Sequence, residues 1–217
     1  MSRRQVGAAL LVGAAFAAMP LVSRAAANEV RALPLPRKTG GAPLLEALAR
    51  RRSTREFADQ ALPPQLLSDL LWSAYGVNRP SGDRTAPYWR HIMVIDIYAV
   101  MSDGVWLYDP VQHALLPHLA GDIRGQTGLQ DFVASAPLDL VYVAHGERMA
   151  EVSPEERRLY ASVDTGFIGQ NVYLFCASEG LATVFRGSLD HVKLAASMHL
   201  GPSAFVTFAQ TVGYPKS

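Results

Sequence analysis

Three arginines and a serine crowd into Arg51-Arg52-Ser53-Thr54-Arg55-Glu56-Phe57, just past a stretch with helical spacing. In an extended chain, side chains alternate, so Arg51, Ser53 and Arg55 share one side. Two guanidinium forks and a hydroxyl then converge. That donor set matches the several acceptor oxygens of a phosphate monoester. A solvated charge run at a helix C-terminus, where cations are welcome, is the other reading of the same residues. Three further stretches bear on the choice. Arg84-Thr85-Ala86-Pro87 lies in a polar loop. Gly169-Gln170-Asn171-Val172-Tyr173-Leu174-Phe175-Cys176-Ala177 runs on to Gly180-Leu181. Gln210-Thr211-Val212-Gly213-Tyr214-Pro215-Lys216 closes the chain.

In this order, the four stretches resemble the nitroreductase family, particularly its short branch that also looks like SagB-type dehydrogenases. The resemblance runs from about Leu33 to the C-terminus. It implies FMN held at the interface of a homodimer. The implied fold is α+β: a mixed, mainly antiparallel sheet flanked by helices, with a long central helix at the dimer interface. By motif, Arg51, Ser53 and Arg55 would bind phosphate, ribityl or ring oxygens, and Arg52 would touch the flavin through side chain or backbone. Arg84 and Thr85 would approach the ring and ribityl chain. Arg186 and Gly187, in a loop starting at Val184, would offer backbone donors to the ring edge. Longer members add a C-terminal lysine and arginine near the phosphate; here Lys216 is the candidate replacement. The loop after Gly180 also lacks the family's frequent Pro and Glu.

The resemblance further implies an FMN-dependent oxidoreductase moving hydride or electrons to or from a small conjugated substrate, with NAD(P)H as the family's common reductant. The flavin carries the chemistry while the protein binds, orients and tunes it, so no catalytic side chain is assigned. The short C-terminus and the altered loop motivate an alternative: an exported flavin-binding protein without turnover of its own.

Other chemistries find less support. The sequence holds 6 histidines, none in a nucleophile motif or a His-Glu-x-x-His pattern, so no metal is assigned. Neither Gly-x-Gly-x-x-Gly nor a Walker loop occurs. A net charge of +1 argues against nucleic acid as a partner. The single cysteine, Cys176, excludes an intrachain disulfide and cysteine-rich metal sites. It reads either as a buried structural thiol among Leu174, Phe175 and Ala177 or as a redox group. Tyr75, Tyr88 and Trp89 flank the second loop, as lining for a planar substrate or as core.

These residues need elements to position them. With 49% hydrophobic and 18% charged residues in 217, a single packed domain is expected over 44–217. Pro34, Pro36, Gly40, Gly41 and Pro43 make residues 28–43 an extended arm. Helical spacing predicts a helix from Leu44 to Arg51, and a second opened by Pro63-Pro64 and ended by Gly76. His91–Met101, Val105–Tyr108, Ala114–Leu119 and Ala204–Val212 read as strands. Leu138–Ala144 is apolar enough for a buried central strand. Pro154–Glu179 is the longest helical pattern, with an acidic first turn, little solvated face and Gly180 as its C-cap. Gly166 and Gly169 would let another backbone approach.

Residues 1–27 read as an address, not as fold. Arg3 and Arg4 precede an apolar run from Val6 to Val22, and Ala25-Ala26-Ala27 offers a cleavage site. Ser2-Arg3-Arg4-Gln5-Val6 partly matches a twin-arginine signal, which suits a protein that leaves the cytoplasm folded around a cofactor. The expectation is an exported, periplasmic protein. An ordinary export signal and an uncleaved anchor, its only membrane contact, are the alternatives.

Overall fold

The computed structural model describes residues 29–216, so the export signal expected over 1–27 lies outside the described residues. In chain order the elements are β1 (Arg31–Ala32), α1 (Leu44–Arg50), α2 (Pro64–Tyr75), β2 (Ile95–Met101), β3 (Gly104–Asp109), β4 (Ala114–Ala120), β5 (Leu138–His145), α3 (Pro154–Glu179), β6 (Ala182–Arg186), α4 (His191–Ser197) and β7 (Ala204–Gly213). The strands form one sheet in the order β1-β4-β3-β2-β5-β7-β6. Every pairing in it is antiparallel. The class is α+β, as expected.

Strand alternation divides the core. Ile97, Ala99, Leu140, Tyr142 and Ala144 face α2 and α3 in the main cluster. Their neighbours Tyr98, Val100, Val141 and Val143 face the opposite side, under Leu194 of α4 and Met198 at its C-cap. Both faces of β5 are therefore covered, which explains its near-continuous apolar run.

Pro64 occupies the first turn of α2, where its missing N–H costs nothing. Gly76 ends that helix in an extended conformation (φ −71°), not a left-handed one. A Cβ there would lie 2.3 Å from Trp72 Cδ1, so close packing is what requires the glycine. From residue 29 on, the arm expected over 28–43 is pinned along α2: Ser68 Oγ donates to the Pro34 carbonyl (2.6 Å), and Arg37 donates to Asp69 from backbone and side chain.

α3 starts with a capping box in which Ser153 and Glu156 satisfy each other's backbone N–H, and it ends at Gly180 with φ 72°. Ala161, Ile168, Val172 and Cys176 form its buried stripe. Burial pushes the Cys176 thiol well up, away from thiolate chemistry. The helix is less enclosed than its sequence predicts. Leu159, Val163 and Phe167, one turn apart, are 57%, 44% and 45% exposed in the single chain. The segment read as a loop after Val184 is also different: Ala182–Arg186 is strand β6, paired to β7 and forming one edge of the sheet.

Candidate functional site

After α1 the chain turns extended and runs beside the free edge of β6. Thr54 N donates to the Thr183 carbonyl (2.9 Å), Ala58 N to the Tyr214 carbonyl (2.9 Å) and Lys216 N to the Glu56 carbonyl (3.3 Å). This stitching uses backbone only, which leaves the side chains of Arg51, Ser53 and Arg55 for other partners. Arg51 lies over the Tyr173 ring, 5.1 Å from its centroid. Ser53 Oγ is 2.7 Å from the Tyr173 hydroxyl. That hydroxyl accepts from Phe185 N (2.9 Å). Tyr173 can thus donate its own proton to Ser53, leaving the serine hydroxyl free to donate outward. The sequence marked Tyr173 as part of a motif but not as a site residue. Its role appears only when α3 is laid against β6.

The cations here are not neutralised internally. Arg50 pairs with Glu46, but among the described residues no carboxylate comes within ion-pair distance of Arg51, Arg52, Arg55 or Lys216. Arg55 and Lys216 line one cavity of about 370 Å³ together with Phe57, Phe132 and Glu56, whose carboxylate is beyond ion-pair distance of both. The structure therefore brings Arg51 and Ser53 together at Tyr173, and Arg55 together with Lys216. Exposed Arg52 lies between the two groups in the chain.

From Tyr173 a groove follows the outer side of α3. Gly166, Gly169, Gln170, Tyr173 and Phe185 line a cavity of about 280 Å³. A larger one of about 820 Å³ lies against Arg158, Ser162, His191 and Phe208. Phe185 and Phe208 join the two, with ring centroids 4.8 Å apart. The glycines play different parts. A Cβ on Gly169 would lie 2.5 Å from the Phe185 ring, so that glycine lets helix meet strand, whereas Gly166 faces open space. Thr183 O and Phe185 N both point to the free edge of β6. By the same alternation of two, the Gly187 amide lies on that edge.

The Arg186 side chain turns the other way. It donates to Asp139 Oδ1 (2.9 Å), the Thr127 carbonyl (2.8 Å) and Thr211 Oγ1 (3.0 Å), all buried. Burial pushes the Asp139 carboxyl upward although Arg186 pulls it down. A Cβ on Gly128 would sit 1.9 Å from Arg186 Nη1, so that glycine makes room for the guanidinium. By the same alternation the Arg186 backbone faces its partner Ala209 on β7, so at the free edge the amide that follows is that of Gly187.

Arg84 and Thr85 do not join the Arg51 group within the chain. Thr85 N donates to the Gly76 carbonyl (3.0 Å), and its side chain lines a depression beside Trp72 and Asn171. Arg84 turns inward and is 7% exposed. Its guanidinium is enclosed in a cavity that Tyr75 also lines but no other residue of the expected flavin site does, so within the chain it lies apart from the Arg51 group. The loop carrying these residues docks on α3. Trp89 stacks on Tyr160 (5.3 Å), and Trp89 N donates to Asp164 Oδ2 (3.0 Å). Asp164 is 2% exposed, and burial pushes its carboxyl up to about 6 against that hydrogen bond.

Comparison with known proteins places these features among relatives. The model of a family described as the nitroreductase family matches residues 48–214. A candidate nitroreductase of Methanocaldococcus jannaschii is 33% identical over 155 residues, spanning 67% of this chain and 78% of that protein. The crystal structure of a candidate nitroreductase from Ralstonia eutropha is 45% identical with a TM-score of 0.85, covering 88% of this chain and 92% of that one. An NADPH:FMN oxidoreductase from Vibrio harveyi, in complex with NAD+, superposes with a TM-score of 0.60 at 21% identity, over 80% of this chain and 69% of that one. At that identity the likeness is one of fold.

Proposed function

The chain belongs to the nitroreductase family and is an oxidoreductase, and from that premise we propose that it is an FMN-dependent enzyme acting as a homodimer on a small conjugated substrate. The observation that carries this reading is the group of uncompensated cations and a free hydroxyl at the head of the α3 groove. Its donors suit a phosphate monoester. Arg158 and Tyr173, at opposite ends of the groove, are about 22 Å apart along the helix at ~1.5 Å per residue, which accommodates an extended phosphate–ribityl–ring molecule.

Arg51 and Ser53 bind phosphate or ribityl oxygens in this reading, with Tyr173 orienting the serine. Arg55 and Lys216 supply further positive charge, and Arg52 contacts the cofactor from the exposed side. Gly166 leaves space for the flat ring, and at the Arg186–Gly187 step the Gly187 amide is the donor offered to its edge. Thr85 approaches from the second loop. Bound FMN supplies the hydride and electron transfer; these residues bind, orient and shield it. NAD(P)H is the proposed reductant. In this reading the chain is a member of the short branch resembling SagB-type dehydrogenases. The open stripe Leu159, Val163 and Phe167, with the exposed Leu44, Leu45 and Leu48 of α1, supplies the apolar face of the dimer. Residues 1–27 export the folded protein to the periplasm, residues 28–43 form the arm, and 44–217 form the catalytic domain.

Purified protein is expected to be yellow and to release FMN on denaturation. A colourless protein that FMN does not reconstitute would refute the reading. Replacing Arg51 and Arg55 together by alanine should weaken FMN binding at least a hundredfold, at roughly 1.5–3 kcal/mol for each charge-assisted bond lost. Flavin that binds but cycles with no donor or acceptor would reduce the protein to a carrier. Replacing Arg3 and Arg4 by lysine should hold the protein in the cytoplasm, and unchanged export would remove the twin-arginine assignment.

A further inference from the structure

Behind the second loop lies a cavity of about 300 Å³, between the end of α2, β2 and the end of β3. Arg84 enters it with Nε and Nη1 buried and unpartnered. Among the described residues no acceptor hydrogen-bonds to this guanidinium, which lies 5.7 Å from the Tyr75 ring centroid. The Tyr75 hydroxyl is also buried without a partner. Burial pushes that hydroxyl well above its ordinary range, so it stays protonated and able to donate. A buried guanidinium without an acceptor is among the costliest arrangements a fold can carry.

Asp96 also lines the cavity but is already committed. Arg148 binds both of its oxygens (3.1 and 3.2 Å), and His145 Nε2 lies 2.8 Å from Oδ2, close but poorly aligned for a hydrogen bond. Arg148 lines the cavity beside Asp96, its charge engaged there, and the remaining walls are apolar: Met93, Ile95, Ile97 and Pro110, with Tyr108. One uncompensated cation and one hydroxyl donor thus face an apolar chamber. Its size falls at the lower end for pockets that take small molecules. A dianion such as phosphate would meet the Asp96 carboxylate and lack polar partners on the other walls.

We propose that this cavity is a second ligand site, separate from the α3 groove, for a small monocarboxylate with an apolar body. Its carboxylate meets the Arg84 fork and the Tyr75 hydroxyl, and its body lies among Ile95, Ile97 and Tyr108.

The test uses the purified protein with its native cofactor content, titrated calorimetrically with benzoate, phenylacetate and isovalerate, and with benzamide as a neutral counterpart of benzoate. At least one carboxylate should bind once per chain, and benzamide at least tenfold more weakly than benzoate. Arg84→Met should weaken carboxylate binding at least tenfold, leave flavin content unchanged and raise the melting temperature of the ligand-free protein. If that variant does not fold, Arg84→Lys keeps the charge without the fork and should still bind at least tenfold more weakly. Absence of binding by all three acids overturns the proposal. So does binding that survives both Arg84 variants, or binding lost instead in the Arg51→Ala/Arg55→Ala protein. A loss of flavin from folded Arg84→Met would also overturn it, by returning Arg84 to the cofactor.

Discussion

Replacing Asp164 by asparagine should stabilise the protein at neutral pH and leave it nearly unchanged in acid. Asp164 is almost fully buried on α3, accepts one hydrogen bond from Trp89 N, and has no ion-pair partner among the described residues. Its carboxyl is held at about 6 instead of its ordinary 3.8. The fold therefore binds this proton more tightly than the unfolded chain does. The group's contribution is most favourable below pH 3.8, declines as pH rises towards about 6, and is constant above that. At 1.36 kcal/mol per pH unit, ionised Asp164 costs the fold about 3 kcal/mol. Asparagine keeps an acceptor for Trp89 N and carries no charge, so a gain of roughly 1–3 kcal/mol at pH 7.5 is expected. Urea unfolding followed by far-ultraviolet circular dichroism, from pH 4.5 to 8, measures it. Asp139, whose carboxyl is also raised by burial, titrates in the same window, whereas Asp96, Asp122 and Glu147 are lowered and titrate below it. The difference between wild type and variant isolates Asp164. A difference that is flat across this range, or a variant less stable at pH 7.5 with an unchanged denaturant slope, would refute the reasoning.

The glycines on α3 give a paired test. Gly169→Ala should destabilise by about 1–2 kcal/mol, because overpacking against Phe185 outweighs the gain in helix propensity. Gly166→Ala meets nothing within 4 Å and should stabilise flavin-free protein by up to ~1 kcal/mol while weakening FMN affinity in a fluorescence titration. Phe167→Asp should shift the sedimentation coefficient from dimer to monomer at micromolar concentration, and an unchanged dimer would place the interface elsewhere. Ser153→Ala removes one half of the α3 capping box and should lower unfolding free energy by about 1 kcal/mol in the same urea assay.

The elements with strong periodicity or explicit punctuation were legible in the sequence. α3 begins at Pro154 and ends before Gly180 as its pattern predicts, and the apolar run at Leu138 becomes the doubly covered β5. α4 was not visible: it is short, and Leu194 is its one fully buried side chain. The inward turn of Arg186 depends on Asp139, 47 residues earlier in the chain and carried by another strand. Likewise, β6 was read as a loop because its partner β7 lies beyond α4, and no local pattern reports such pairing. For the candidate site, the alternation in Arg51–Arg55 grouped Arg51, Ser53 and Arg55, whereas the structure divides them between Tyr173 and Lys216. That division follows from where the backbone of the segment bonds to β6 and to the C-terminal residues.

The same backbone stitching bears on solubility. Sheet edges with unpaired N–H and C=O groups recruit other chains, and β6 is such an edge. The arginine segment covers it by donating Thr54 N–H to the Thr183 carbonyl and pairing at Phe57 with Pro215, so the proposed phosphate-binding strip also acts as a guard rail against aggregation. A chain in which that strip lifts away bares a row of backbone groups ready to pair with its neighbours.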